Sequence, residues 1–242
     1  MKRTIILILS IILIAAFQTV TAQSAEEIVA RTDEMMNYES AYTESRMVNT
    51  DRFGTKTIAY SAWSEGTNFL MEFTSDAEYG QKILRTEDRI YHFFPDSEAI
   101  FTKSKGDSIA GLISYEDVTD ESGMLENYDV TLEGEENLEG ILCYRIAMKV
   151  KRRKRVAYPV QIVWIEKETF IMRRIEMFTR SNQPLKTMVI RQVDEFNGHL
   201  MATDIILTDD VRRGVSSEIF IDKVELNIPI PDSKFTRREL TR

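Results

Sequence analysis

The stretch Ile58-Ala-Tyr-Ser-Ala-Trp-Ser-Glu-Gly-Thr-Asn-Phe-Leu-Met-Glu-Phe73 decides the fold class. Ile58, Tyr60 and Ala62 alternate with Ala59, Ser61 and Trp63. Beyond Glu65-Gly66, Phe69, Met71 and Phe73 alternate with Leu70 and Glu72. A period of two on both sides of a Gly-bearing turn predicts two antiparallel strands. The rhythm recurs along the chain. Leu142, Tyr144, Ile146, Met148 and Val150 share one parity, as do Met201, Thr203, Ile205 and Leu207. Further strands are expected over 40–49, 81–86, 90–94, 98–102, 126–132, 160–166, 170–179, 185–194 and 216–225. Turn signals such as Pro95-Asp96, Gly140, Ser181-Asn182 and Asn197-Gly198 separate them. Many short strands joined by tight turns favour an antiparallel meander.

Two segments depart from this rhythm. Ser24 and Glu27 form a capping-box pair, followed by Ile28, Val29, Thr32, Met35 and Met36 at helical spacing, which predicts an amphipathic helix over 24–38. Residues 106–124 do not alternate, and Ile109, Leu112 and Ile113 sit at helical spacing, so one or two short helices are expected there. The class is α+β, with one mature domain over 23–242.

Ahead of that domain, Lys2 and Arg3 precede an apolar run from Ile5 to Phe17, and Val20-Thr21-Ala22 supplies small or aliphatic residues for cleavage after Ala22. This is the pattern of a secretory signal peptide over 1–22. Its apolar run falls short of the ~20 residues of a spanning helix. No cysteine follows it to carry a lipid, so the mature protein is expected to be soluble and exported. The single cysteine among 242 residues, Cys143, excludes an intramolecular disulfide framework and Cys-rich metal centres. It is either buried and inert or able to pair between molecules, and its strand position allows partial exposure.

The formal charge of the whole chain is −8, and loss of residues 1–22 leaves 29 basic against 39 acidic residues. Nucleic-acid binding by overall charge is therefore not expected. One tract runs against the background: Lys149 to Arg155 reads KVKRRKR. Lys151, Arg152, Arg153, Lys154 and Arg155 fit either a solvated hairpin end or a transient contact with anionic lipid headgroups or an acidic partner.

Signals for catalysis are sparse. The chain has two histidines, His92 and His199, and no G-x-S-x-G, H-E-x-x-H or Walker loop. Gly106-Asp107-Ser108-Ile109 matches four residues of the nucleophile block of GDS-type lipases. It lies inside the chain rather than near the mature N-terminus, and Asp194 and His199 have the wrong spacing for that family's second block. The reading is a non-enzyme, with no catalytic residue, metal or cofactor expected. His92, beside Phe93 and Phe94, reads as structural, and Glu133, Glu135, Glu136 and Glu139 read as a solvated hairpin.

Residues 25–241 resemble the outer-membrane lipoprotein-sorting proteins, the LolA/LolB-like carriers of bacterial envelopes, in a divergent branch. The resemblance is carried by Ala25-Glu-Glu-Ile28, Trp63-Ser-Glu-Gly66, Ile90-Tyr-His-Phe-Phe-Pro95, Ser114-Tyr-Glu-Asp117 and Leu138-Glu-Gly-Ile-Leu-Cys-Tyr144. Further along come Val163-Trp-Ile-Glu-Lys-Glu-Thr169, Arg174-Ile-Glu-Met-Phe178, Pro184-Leu-Lys-Thr187 and Phe235-Thr-Arg-Arg-Glu-Leu240. It implies an incomplete antiparallel β-barrel of about 11 strands, covered by the N-terminal helix and a short helical lid. It also implies a periplasmic location, an apolar cavity for acyl chains of lipoproteins or other lipids, loading by an inner-membrane ABC-type or other lipid exporter, and delivery to an outer-membrane acceptor. The expected cavity wall is Phe69, Met71, Phe73, Tyr91, Phe93, Phe101, Trp164, Ile175 and Met177, and the expected lid residues are Ile109, Leu112 and Ile113. Each of these is equally readable as plain core, because a register slip of one residue inverts a strand. The same fold serves envelope-stress sensors, which is the alternative function; a lipid hydrolase using Ser108 is a third. The proteobacterial carrier locks its lid with an arginine on an early strand. No arginine stands between Ser64 and Met71, so the lid lock is not carried over.

Overall fold

A computed structural model describes residues 23–35, 38–86, 89–119 and 123–242; the expected signal peptide lies outside them. The chain opens with helix α1 (Ala25–Met35). Its capping box forms: the Ser24 amide donates to Glu27 Oε2 at 2.9 Å, and the Glu27 amide donates to Ser24 Oγ at 3.1 Å. Met36 of the expected helix lies outside the described residues, and Tyr38 is not helical.

Six strands then meander: β1 (Ser40–Asp51), β2 (Gly54–Glu65), β3 (Asn68–Phe73), β4 (Lys82–Thr86), β5 (Arg89–Phe94) and β6 (Ala99–Lys103). A connecting segment holds a small hairpin, β7 (Ser108–Ala110) and β8 (Ile113–Ser114), and two short helices, α2 (Tyr115–Thr119) and α3 (Met124–Asn127). Seven longer strands follow: β9 (Tyr128–Leu138), β10 (Ile141–Val150), β11 (Val160–Glu166), β12 (Met172–Phe178), β13 (Pro184–Phe196), β14 (His199–Asp209) and β15 (Ser216–Leu226). The chain ends with α4 (Arg237–Leu240).

The large sheet has 13 strands in the order β6-β5-β4-β3-β2-β1-β15-β14-β13-β12-β11-β10-β9. The first meander runs outward from β1. The chain then crosses to the far edge at β9 and meanders back until β15 pairs with β1, Ala41 opposite Leu226. The edges β6 and β9 do not pair, so the barrel is incomplete. The sheet thus exceeds the expected 11 strands. Tight turns allow the long uninterrupted return: at Asn197-Gly198, φ is +51° and +83°, the geometry that suits a two-residue hairpin between right-twisted strands.

Cross-strand partners share a face, and the register defines a continuous concave face. Met47, Ile58, Tyr60, Phe73, Met71, Ile83, Leu207 and Ile219 form one apolar cluster on it. Ile146, Met148, Val163, Ile165, Ile175 and Met177 form a second beneath Ile28 and Val29 of α1. Met188 packs against both, joining them. Strands β3 to β5 are buried on their other face too. There Leu70, Leu84, Tyr91 and Phe93 pack on Ile230, Phe235 and Leu240 of the C-terminal segment. Burial on both faces produces the runs NFLMEF and RIYHFF, in which alternation is faint.

Candidate functional site

The connection from β6 to β9 carries the chain across the open side of the barrel, and it is the part of the molecule built to cover the concave face. The expected lid helix over Ile109 to Ile113 is instead the hairpin β7–β8. Gly111, at φ +56°, supplies its turn, and Ala110 stands opposite Ile113. A spacing of i, i+3, i+4 across such a turn imitates a helix face. Helices α2 and α3 follow, so the cover is a hairpin with two helical turns. Ile113 is fully buried against the first concave cluster, and Ile109 and Leu112 pack on its border.

The hairpin seats against the seam between β1 and β15. A Cβ on Gly111 would overlap Asn49 Oδ1 and Ser217 Oγ and lie 2.7 Å from Asn49 Cγ. Ser217 Oγ donates to Asn49 Oδ1 at 2.6 Å and accepts the Leu112 amide at 2.9 Å.

Helix α2 then reaches both halves of the sheet. On the β13 side, Lys186 Nζ donates to Asp117 Oδ2 at 2.6 Å and to the Leu112 carbonyl at 2.9 Å. Both side chains of this ion pair are under a tenth exposed. Asp117 Oδ2 also accepts from the Ser114 amide at 2.7 Å and from Tyr158 Oη at 3.2 Å, and Lys186 Nζ lies 4.6 Å from the Tyr158 ring centre. Burial lowers the Lys186 pKa, opposed by the Asp117 charge. Burial and then Asp117 push the Tyr158 hydroxyl well up, so it stays protonated as a donor. Glu116 Oε2 accepts the Ala157 amide at 2.8 Å, tying α2 to the β10–β11 loop as well.

On the β5 side, His92 Nδ1 lies 2.6 Å from Tyr115 Oη and its Nε2 lies 3.1 Å from Gln81 Oε1. The amide oxygen only accepts, so Nε2 carries the proton; with the pKa lowered to about 4 the ring is neutral near pH 7, and Nδ1 then accepts from the tyrosine. Its ring stacks on Phe94 at 4.1 Å. Burial, then the Lys103 charge, lower its pKa from 6.5 to about 4. Because the folded-state value lies below the unfolded one, this contact contributes stability above pH ~6.5 and loses it as pH falls toward ~4. Amide protection of residues 107–116 is therefore expected to weaken over that window, with the His92 ring protons titrating near pH 4 by NMR. A midpoint near 6.5 would show the imidazole to be in water.

The expected wall residues divide. Phe69, Met71 and Phe73 lie in the first concave cluster, and Ile175 and Met177 in the second. Tyr91 and Phe93 face the opposite way, onto the C-terminal segment. Trp164 also points away from the interior: its ring lies between Arg145 and Arg174 at 5.4 and 5.3 Å, and its Nε1–H donates to Glu136 at 2.9 Å. Phe101, on the concave parity of edge strand β6, is 52% exposed and meets Phe94 edge to face. Cys143 is fully buried, so it is not partly exposed as its strand position allowed, and burial pushes its thiol pKa up to about 11. Ser108 Oγ donates to the Gly111 carbonyl at 3.2 Å, and among the described residues no histidine bonds to it. In the β10–β11 loop, Lys154 pairs with Glu126 and Lys151 donates to the Leu125 carbonyl, while Arg152, Arg153 and Arg155 are exposed.

Two cavities flank the hairpin. The larger, of about 680 Å3, has Ile58, Phe73, His92 and Ile109 among its lining and opens toward the β1–β2 and β14–β15 turns. The smaller, of about 280 Å3, lies between Leu112, Tyr158, Leu185 and Lys186. Sequence reasoning missed Lys186, Asp117 and Gly111. The available signals were a lysine at the parity of Met188 and Ile190, and a glycine inside the apolar run Ile109 to Ile113.

A family model described as "-like: Uncharacterized protein" matches residues 65–242, and the chain belongs to that family. A DUF1329 family protein from Desulfovibrio piger shares the fold with a TM-score of 0.82 at 19% identity, over 90% of this chain and all of that one. A LolA superfamily protein from Nitrosomonas europaea gives a TM-score of 0.79 at 21% identity, again over 90% of this chain and all of that one. An outer membrane lipoprotein-sorting protein domain from Vibrio parahaemolyticus gives 0.79 at 16% identity with the same coverage. The fold is LolA-like. No curated protein matches the chain. Among the described residues no helix is long and apolar enough to cross a membrane.

Proposed function

We propose that this protein is a periplasmic carrier that shelters the acyl chains of lipoproteins or other lipids between the inner and outer membranes, without chemistry on its cargo. One observation carries the reading: the apolar concave face is covered by a separate hairpin and helix, held by a few polar contacts rather than by the strand ladder. Burying methylenes is worth ~0.8 kcal/mol each, so one long acyl chain in water is unfavourable by on the order of 10 kcal/mol. A carrier must match that gain and still release the chain. A cover whose Ile109, Leu112 and Ile113 occupy the concave face when it is empty does both, because cargo and cover exchange for the same apolar surface. Met47, Met71, Met148, Met177 and Met188 on that face suit guests of varied shape. In this reading the lid lock is Lys186–Asp117, supplied by β13. The partners are an inner-membrane ABC-type or other lipid exporter and an outer-membrane acceptor.

The test is native mass spectrometry of the protein purified from its own envelope, beside displacement of a fluorescent fatty acid in vesicle-free buffer. Acylated species that co-purify, together with displaceable binding of the probe, are the expected result. Their repeated absence, with no probe binding, would overturn the proposal.

A further inference from the structure

Strand directions place six connections at one end of the barrel: those after β1, β3, β5, β10, β12 and β14. Among the described residues, the three most exposed large apolar side chains all stand on these connections. Phe53 is 82% exposed on β1–β2, Tyr79 73% on β3–β4, and Val211 71% on β14–β15. The Phe53 and Val211 turns are neighbours, since β1 pairs with β15 and Thr50 stands opposite Ser216. The larger cavity opens beside them.

Cations stand beside the Phe53 and Val211 tips. The Arg52 guanidinium lies 4.6 Å from the Phe53 ring centre, and the exposed Arg212 and Arg213 follow Val211. Arg152, Arg153 and Arg155 occupy another connection at the same end. Beside Phe53 and Val211 the acidic groups are engaged in shaping the turns, while on the β3–β4 and β5–β6 connections Asp76, Asp96 and Glu98 are exposed. Asp51 Oδ1 accepts the Phe53 amide at 2.7 Å. Asp209 Oδ1 accepts the Val211 and Arg212 amides, and its Oδ2 accepts from Arg212 Nε at 2.6 Å. Asp210 accepts from the Thr187 hydroxyl at 2.9 Å. Around Phe53 and Val211, Arg52, Arg212 and Arg213 thus present positive charge outward on a chain whose overall charge is negative.

We infer that this end is a membrane-docking surface, in which Phe53 and Val211 enter the headgroup region of an anionic bilayer while Arg52, Arg212 and Arg213 meet phosphates, setting the cavity mouth against the lipid. The inference rests on the carrier reading and gives it a docking face. A bilayer fits better than a protein partner. Single apolar side chains on separate turn apices offer no flat core for a packed interface, whereas a fluid interface accepts each tip separately, aromatic groups settle at headgroup depth, and clustered arginines gain from anionic lipid. Arg52 can keep its contact with the ring while its head stays at the phosphates.

The experiment is flotation of the full mature chain with vesicles of phosphatidylethanolamine and phosphatidylglycerol, and with phosphatidylcholine alone. The wild type is expected to float with the anionic vesicles, less so at high salt, and the Phe53→Ser/Val211→Ser variant to lose roughly tenfold in bound fraction. The variant's far-UV circular dichroism checks its fold. In a separate Phe53→Trp variant, tryptophan emission is expected to shift blue on anionic vesicles and to be quenched by acyl-brominated lipid. Equal flotation of the wild type and the folded double variant would overturn the docking surface. So would an unshifted Phe53→Trp spectrum on vesicles, including one that shifts only with a protein fraction of the envelope. Fatty-acid binding by the wild type in vesicle-free buffer is read separately: retained binding without flotation refutes the docking surface alone, and flotation without binding refutes the cargo.

Discussion

Asp117→Ala is expected to destabilise the closed lid by about 3–5 kcal/mol, because it leaves the Lys186 ammonium buried without its counter-charge. Lys186 would keep the Leu112 carbonyl as a hydrogen-bond acceptor, while the Ser114 amide and the Tyr158 hydroxyl would each lose the carboxylate oxygen they share. The expected readout is hydrogen exchange. Amides of residues 107–117 should open at least about a hundredfold more often, while those of β10 to β14 change little. The companion variant Asp117→Leu/Lys186→Met removes both charges and fills the space with apolar atoms. Replacing a buried ion pair in this way is neutral or stabilising by about 1–4 kcal/mol in other proteins. The double variant is therefore expected to keep the lid shut and to take up a fluorescent fatty acid more slowly than the wild type. If both variants exchange like the wild type, the pair does not hold the lid.

Gly111→Ala attacks the same closure from the other side. The new Cβ has no room against Asn49 and Ser217, whose side chains are bonded to each other, and alanine at φ +56° carries a left-handed backbone cost. Steric overlap and backbone strain together are expected to cost roughly 2–5 kcal/mol of hairpin seating. Leu112 would then lose its bond to Ser217, and the exposed concave face should bind a hydrophobic dye. Asn49→Gly in the Gly111→Ala background removes the nearer obstacle and should recover part of the loss. The backbone share should persist. No recovery would show that the turn conformation, not the close approach, sets the requirement for glycine.

The two halves of the concave face differed in how readable they were. In β10 and β12 one face is covered by α1 and the other is largely polar, so Ile146, Met148, Ile175 and Met177 stood out by alternation, and they do lie beneath α1. In β5, every residue from Ile90 to His92 is apolar or aromatic because helix α4 and the turn before it bury the second face. Parity there has no polar partner to mark the outside, which is why Tyr91 and Phe93 were expected in the interior and belong to the C-terminal cluster. Trp164 failed for another reason. Its large ring resembles a core residue, but its indole N–H finds Glu136 and its faces are covered by two arginines, an arrangement that requires four strands in register.

The sequence by itself determined what short-range chemistry determines. The capping box at Ser24 and Glu27 starts the first helix, the period of two makes the strands, and Asn197-Gly198 and its like set antiparallel neighbours. Those terms act over a few residues and leave their pattern in the order of the chain. Tertiary structure alone decided the return to β1, the crossing at 104–127 and the pairing of Lys186 with Asp117. These bring together residues as far apart as Ala41 and Leu226, or Asp117 and Lys186. The physical reason is burial. A lysine among alternating methionines and isoleucines is tolerable only where a carboxylate from another element meets it out of water. Nothing local to either residue records that the other will be there.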